Sequence, residues 1–242
     1  MPVAEDHYVW LIWASAFLVP WLVLFAAFPH YRTTMWWASV MTAPFGLTEP
    51  IFVPAYWNPP SLFDLAQRTG FDIESLIFCF AIGGVGVSLY NIVTGRTLET
   101  VGLPAGHSRH RYHGVALLIP VVAFPLLMLA SWNPIYPAVL AMLLGALGTI
   151  ACRPDLLPNT MIGGIIFLVY YLTFMVGLEW SAPGYIARVW NLGALSGFAL
   201  YRIPLEELLF GFAFGAYWAG IYEHIMWRRS IKILDRGSTR NA

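Results

Sequence analysis

Seven long apolar segments dominate this chain of 242 residues. The hydrocarbon core of a bilayer is about 30 Å thick, and an α-helix needs about 20 residues to cross it. Because a bilayer offers the backbone no water to bond, such segments must satisfy their polar groups internally, as helices do. The sequence therefore predicts an all-α, polytopic membrane protein with seven transmembrane helices. We place them at 8–29, 34–55, 72–94, 113–131, 135–152, 159–179 and 204–226.

The composition supports a membrane protein and excludes several other classes. Hydrophobic residues make up 59% of the chain and charged residues only 11%, against about 45–50% and 25% in soluble domains. A net charge of zero gives no reason to expect a nucleic-acid partner. Cys79 and Cys152 fall at or within apolar segments, so we expect neither a disulfide framework nor a metal site. The acidic N-terminus, without a cleavage site, favours a retained first helix over a signal peptide.

The basic residues predict the orientation of the helices. With seven spans and the N-terminus outside, ten of the 13 basic residues lie on the cytoplasmic side. Cytoplasmic loops of membrane proteins carry such an excess of lysine and arginine. We therefore expect a multi-pass protein of the cell membrane with its N-terminus outside and its C-terminus in the cytoplasm. The ten are Arg32, Arg96, Arg109, Arg111, Arg153, Arg228, Arg229, Lys232, Arg236 and Arg240, and the other three are Arg68, Arg188 and Arg202.

Part of the third segment recurs in the seventh. Residues 73–83 align without gaps on residues 205–215, and the same spacing carries Tyr90 onto Tyr222. A Trp-Asn pair precedes each copy, as Trp57-Asn58 and as Trp190-Asn191. We therefore predict two parallel three-helix repeats joined by a linker helix. Since both repeats then have the same orientation, the ligand site is expected where they face each other. The repeats cover about 1–95 and 135–226, the linker about 113–131, and a basic tail 227–242.

Carboxylates open or close several of these apolar segments. Glu206 and Glu207 follow Pro204 at the start of the last segment, and Glu74 takes the place of Glu206 in the first repeat. An ionisable group inside a membrane costs about 2.5–3.5 kcal/mol on insertion scales and is usually functional. Since these acids share one side of the predicted bundle, we expect them to converge at one depth. The candidate catalytic residues are Glu206, Glu207, Glu74, Glu49 and Glu179.

Aromatic residues follow these acids along the helices. An acid beside aromatic side chains suits proton-initiated cyclisation of a polyene, because a neutral carboxylic acid can protonate an alkene and aromatic faces stabilise the cation. We expect no metal and no cofactor. Candidate substrate-binding residues are Trp57, Phe78, Trp190, Phe210, Phe214, Tyr217 and Trp218, and residues expected to support the site are Pro204, Arg202, Asn58 and Asn191.

Simpler interpretations of several motifs stay open. Pro204 with two glutamates in the first turn is also an ordinary helix start. The histidine-rich stretch 107–113 could hold a metal or phosphate, but a basic flank facing anionic lipid is the favoured interpretation. For Tyr222-Glu223-His224 we favour a structural role. A retinal Schiff base within the membrane is excluded, since Lys232 is the single lysine and lies beyond the last segment.

The stretch Pro204-Leu-Glu206-Glu207-Leu-Leu-Phe210, preceded by Trp190-Asn191, resembles the small membrane-embedded lycopene cyclases. In that family Pro-x-Glu-Glu opens a spanning helix once per three-helix repeat, and the likeness in length and repeat pattern covers nearly the whole chain. The resemblance implies redox-neutral cyclisation of acyclic carotenoid end groups to ionone rings, an isomerase (intramolecular lyase) reaction with Glu206 and Glu207 as the acid pair.

The partners implied by the resemblance are a carotenoid or other polyene and membrane lipid, and association with a second copy stays open. The first repeat departs from the motif, because Asp72-Ile-Glu74-Ser75 lacks the proline and the second acid. A related membrane terpene cyclase and a non-catalytic carotenoid or lipid binder or transporter therefore remain alternatives.

Overall fold

The structure, a computed structural model, describes residues 6–101 and 112–233. It is an all-α protein, 75% helical. Its α-helices are α1 (Val9–Ala16), α2 (Leu18–Ala27), α3 (Arg32–Thr42), α4 (Glu49–Phe52), α5 (Leu65–Thr69), α6 (Ile73–Val93), α7 (His113–Leu127), α8 (Ile135–Cys152), α9 (Leu157–Ser181), α10 (Tyr185–Val189) and α11 (Leu205–Met226). Short 3-10 helices cover Pro29–Tyr31, Ala43–Thr48, Leu62–Asp64, Pro154–Leu156 and Leu192–Ala194, and the strands are β1 (Arg96–Thr100), β2 (Ala199–Leu200), β3 (Ile203–Pro204) and β4 (Arg228–Lys232).

Four helical stretches are long and apolar enough to cross a membrane, which indicates a membrane protein. Helix α7 is apolar but shorter. Helix α11 has 22 residues, and three glutamates lower its apolar character. The predicted span at 34–55 is broken into α3, a 3-10 helix and α4, and a proline stands in the first turn of each of the last two. Proline lacks the N–H that a continuous helix needs. The four stretches are Val9–Ala27, Ile73–Val93, Ile135–Cys152 and Pro154–Ser181.

Helices α6 and α11 pack against each other in the centre of the bundle. Helices α1, α2 and α3 contact α6, whereas α8 and α9 contact α11, and α7 packs on α8. Glycines allow these close approaches, as in other membrane helix pairs. A Cβ atom on Gly83 would lie 1.8 Å from Oγ1 of Thr42, and one on Gly215 would lie 2.4 Å from Cβ of Phe167.

Positions that correspond in the two predicted repeats contact each other. Strands β1 and β4 pair in antiparallel fashion with Leu98 opposite Ser230. Asn91 donates a hydrogen bond to Glu223 at 2.7 Å, again across 132 residues. These are the contacts that a two-fold axis running along α6 and α11 would produce.

The same strands correct the prediction for the region after the last helix. The sequence suggested a basic tail from residue 227, whereas residues 228–232 form β4. Residues 234–242 of that predicted tail, and 107–111 of the histidine-rich stretch, lie outside the described residues. We call the end of the bundle where β1 and β4 lie the sheet end. The opposite end, where α6 and α11 begin, is called the glutamate end.

Candidate active site

An apolar cavity of about 440 Å³ lies between the two halves of the bundle. This volume falls within the range of about 300–1,000 Å³ that is usual for small-molecule sites. Residues of α1, α3, α4, α6, α7, α8, α9 and α11 contribute to the wall. All seven aromatic residues proposed from the sequence line it: Trp57, Phe78, Trp190, Phe210, Phe214, Tyr217 and Trp218.

Glu207 is one of the acidic residues in the cavity wall, and it is buried. Its Oε1 atom accepts hydrogen bonds from the hydroxyl of Tyr56 and, at 2.6 Å, from Nε1 of Trp190. Its Oε2 atom accepts a bond of 2.5 Å from the hydroxyl of Tyr171. Burial, and then the Glu207 carboxylate, raise the pKa of Tyr56 well above its usual value, so this hydroxyl remains a donor. Three such donors suit a carboxylate that carries a charge without a cation beside it.

Glu49 is the other acidic residue in the wall, at the start of the short helix α4. It is 6% exposed, and its polar neighbours are Ser75 and Trp57. Its Oε1 atom has no hydrogen-bond partner within residues 6–101 and 112–233. Of the described residues, two therefore bring carboxyl groups into the cavity, and their surroundings differ: one is bound by three donors, and the other has an unpaired oxygen.

Two loops meet at the glutamate end of the cavity. Trp57 and Trp190 form an isolated antiparallel bridge, and their ring centroids are 5.3 Å apart. The N–H of Asn58 donates to the carbonyl of Val189 at 2.8 Å, and the N–H of Asn191 donates to the carbonyl of Tyr56 at 2.9 Å. The side chains of both asparagines are exposed. The two recurring Trp-Asn pairs thus join the loops and place both tryptophans in the wall.

The remaining proposed acids lie at the glutamate end but do not line the cavity. Oε1 of Glu206 accepts from the hydroxyl of Tyr136 at 2.6 Å and from the N–H of Ser196 at 2.8 Å. Oε1 of Glu74 accepts from the N–H of Leu62 at 2.7 Å. These two glutamates, which correspond in the two repeats, therefore make the same kind of contact with the loop that precedes their helix.

Glu179 and the remaining supporting residues hold the loops of the second half. Glu179 accepts from the N–H of Gly184 at 2.8 Å and pairs with Nη1 of Arg202 at 3.4 Å. Arg202 is exposed and has a positive φ of 65° in the turn between β2 and β3. Pro204 is buried and is the N-cap of α11, which sets the direction in which this helix begins.

Tyr56 and Tyr171 are site residues that were not predicted from the sequence. Tyr56 directly precedes the first Trp-Asn pair, and this position could have pointed to it. Tyr171 follows Tyr170 in α9, and nothing in the sequence indicates which of the two rings faces Glu207. Ser75 was noted only as the residue that replaces the second acid of the motif, although it lines the same cavity.

A comparison with known families found a match in the second half of the chain. Residues 133–225 match the family model described as Lycopene cyclase. The matched region contains α8, α9 and nearly all of α11, and therefore Glu207, Trp190 and Tyr171. It does not contain Glu49 or Tyr56. Neither the curated proteins nor the solved structures gave a match.

Proposed function

We propose that this chain is a member of the lycopene cyclase family and closes the acyclic end groups of lycopene into ionone rings by a proton-initiated, redox-neutral reaction. The match of residues 133–225 to the lycopene cyclase model supports carotenoid cyclisation as the activity. The observation that carries the finer proposal is the cavity, in which two unlike carboxyl groups, Glu49 and Glu207, face an aromatic wall.

The reaction needs one proton to enter and one to leave. A proton adds to a double bond at the end of the polyene and produces a carbocation. A second double bond of the same chain attacks this cation, so that a carbon–carbon bond closes the ring. Loss of a proton from the new ring restores a double bond, and the product is an isomer of the substrate. No electron leaves or enters, so the residues need supply only an acid, a base and a site that excludes water.

We assign Glu49 as the acid. An alkene is a very weak base, so the donor must be a neutral carboxylic acid in a dry site. A charged carboxylate that is buried without partners is costly, and Oε1 of Glu49 has none in the described part of the chain.

We assign Glu207 as the base that takes the proton back. The bonds from Tyr56, Tyr171 and Trp190 stabilise its ionised form. Its negative charge also favours the carbocation while this cation exists. The faces of Phe210, Phe214 and the other aromatic residues of the wall add about 0.5–2 kcal/mol each to this stabilisation. Because both acids line one cavity, the proton can return to Glu49 between turnovers.

We further propose that the protein lies in the cell membrane with seven spans, its N-terminus outside and its C-terminus in the cytoplasm, and that it consists of two parallel repeats. The distribution of basic residues supports the orientation. The pairing of β1 with β4 and the bond from Asn91 to Glu223 support the repeats. In this arrangement membrane lipid surrounds the bundle, and a polyene would reach the cavity from the bilayer.

Pigment chromatography of a lycopene-accumulating bacterial host tests the proposed function. A host that expresses the wild-type chain should convert lycopene to monocyclic or bicyclic carotenoids, whereas the empty vector should not. Unchanged lycopene beside a chain that is shown to be inserted in the membrane would contradict the proposal. Lycopene that co-purifies unchanged with the chain would favour a carotenoid binder instead.

A further inference from the structure

A second cluster of reactive side chains lies at the sheet end of the bundle. His113 is the first residue of α7, Cys152 is the last residue of α8, and His224 stands in the last turn of α11. One nitrogen or sulfur atom from each residue lies within 4.8 Å of the other two. The exposed fractions of the three residues are 8%, 6% and 0%, so the cluster is buried.

The distances within the cluster are close to those of a metal site. Sγ of Cys152 lies 3.7 Å from Nδ1 of His113. In a zinc site, with Zn–N of about 2.0 Å and Zn–S of about 2.3 Å, two such ligand atoms lie about 3.5 Å apart. Closing the largest separation of 4.8 Å therefore needs a side-chain shift of roughly 1 Å.

The ring of His224 is placed as a metal ligand requires. Its Nδ1 atom lies 3.2 Å from Oγ1 of Thr149, one turn before Cys152 on α8. Its Nε2 atom is buried and has no hydrogen-bond partner within the described part of the chain. A second partner on the other ring nitrogen is the usual companion of a metal-bound histidine, because it fixes the tautomer and the ring orientation. Without such a partner, an unpaired buried nitrogen destabilises the folded protein.

We propose that His113, Cys152 and His224 bind one thiophilic metal ion, zinc(II) or copper(I), which ties α7, α8 and α11 together at the sheet end. A thiolate with two imidazoles is the ligand set that such ions prefer. Among the residues that the structure describes, Arg153 is next to the proposed ligand Cys152, and its charge is paired. Arg153 forms two hydrogen bonds with Asp155, at 2.6 and 2.7 Å, and lies 4.9 Å above the ring of Trp227.

The metal site is separate from the proposed cyclisation. His224 follows Glu207 by 17 residues on the same helix, which is about 25 Å along its axis. An ion there is too far from Glu207 to touch a polyene end group beside that residue. Its role is structural, because its ligands come from three helices and their link closes the sheet end of the bundle.

Metal analysis of the purified full-length chain in detergent tests the proposal. We expect about one equivalent of zinc or copper per chain after growth with both metals supplied, and the element found identifies the ion. Cobalt(II) added to the chelator-treated chain should produce a thiolate-to-cobalt charge-transfer band. Chelator treatment should also lower the midpoint of thermal unfolding, and zinc should restore it.

Variants with matched controls identify the ligands. Cys152→Ser and His224→Gln should lose the metal and the cobalt band. Cys79→Ser removes the other cysteine, and His30→Gln removes an exposed histidine, and both should keep one equivalent. A wild-type chain that is folded, holds no metal and shows no cobalt band would overturn the proposal, as would full metal content in Cys152→Ser. If the ligand variants do not fold, the cobalt titration of the wild type decides the question alone.

Discussion

At the scale of single residues, the two halves have different side chains at the position proposed for the chemistry. They have the same side chain, a glutamate, at the position that binds the preceding loop. Glu74 and Glu206 correspond in the two repeats, and each accepts a backbone N–H from the preceding loop. The next positions, Ser75 and Glu207, differ in chemistry, and both line the cavity. Recurrence in the sequence therefore identifies a shared contact with the loops, whereas Glu207, one of the two acids named in the cavity wall, stands at a position where the other half has a serine.

Replacing Glu207 with glutamine should remove the base without removing the bulk of the side chain. We expect ring formation to fall by at least about 100-fold, the lower limit usual for loss of an acid–base group. The rate is measured as cyclic carotenoid formed from lycopene by isolated membranes. Glu99→Gln is the matched control, since Glu99 pairs with Arg229 at the sheet end and its side chain is 41% exposed. A Glu207 variant with near-normal turnover would contradict the assignment.

Glu49→Gln should stop the reaction before the cation forms. We expect a loss of turnover as large as that of Glu207→Gln, while lycopene still co-purifies with the chain because the apolar wall is unchanged. Carotenoid bound per chain is measured by absorbance after purification, beside the rate in membranes. Turnover at the wild-type rate would exclude Glu49 as the acid. Glu207 would then be the remaining candidate for the proton donor among the described residues of the cavity wall.

Variants of Glu206 test which glutamate is the acid: Glu206, as the family motif implies, or Glu49, as the cavity wall suggests. The amide oxygen of Glu206→Gln can still accept from Tyr136 and Ser196, so this variant should keep most of its turnover. Glu206→Ala leaves both donors unpaired and should lower the free energy of unfolding by about 1–3 kcal/mol. Turnover in membranes and the midpoint of thermal unfolding measure the two effects. Loss of turnover in a stable Glu206→Gln chain would show that Glu206 itself is the acid, as the resemblance implies.

At the scale of elements, apolar segment length located the long helices, because a helix satisfies its own backbone. The predicted segments 72–94, 135–152 and 204–226 agree with α6, α8 and α11 to within one residue. The sheet of β1 and β4 could not be predicted in this way, since each strand finds its partner more than 120 residues away. Helical spacing pointed to the aromatic residues of α11 in the wall, whereas Trp57 and Trp190 were proposed from the recurring Trp-Asn pairs. Tyr56 reaches Glu207 from a loop on the other half, which no spacing indicates.

Close packing of α9 on α11 gives a prediction at this scale. A Cβ atom on Gly215 would lie 2.4 Å from Cβ of Phe167 and 2.9 Å from the carbonyl oxygen of Gly163. Since a backbone atom cannot move aside easily, Gly215→Ala should destabilise the protein by about 1–3 kcal/mol. Gly114→Ala is the control, because no atom lies within 4 Å of its added Cβ. Thermal unfolding in detergent should show a lower midpoint for Gly215→Ala alone, and equal midpoints would contradict the packing.

At the scale of the whole molecule, the two predicted repeats contact each other through corresponding positions, but the cavity between them is lined by different residues from each. Contacts between corresponding positions occur at both ends of the bundle. Trp57 contacts Trp190 at the glutamate end, and at the sheet end Asn91 contacts Glu223 and Leu98 lies opposite Ser230. The cavity nevertheless takes one acid from each half, and α7, which belongs to neither repeat, closes part of its wall. The catalytic proposal therefore needs both halves, although residues 133–225 alone match the family.

The orientation of the bundle in the membrane can be tested with one cysteine at each end. Arg68 in α5 lies at the glutamate end with 72% of its side chain exposed, and Arg229 in β4 lies at the sheet end with 57% exposed. If seven spans place the N-terminus outside, a membrane-impermeant maleimide should label Arg68→Cys in intact cells, and Arg229→Cys only after permeabilisation. The wild-type chain, which has Cys79 and Cys152, gives the background. Labelling of both positions from one side would contradict the topology, because five predicted spans, an odd number, separate residue 68 from residue 229. The reverse pattern would keep the spans and place the glutamate end in the cytoplasm, against the distribution of basic residues.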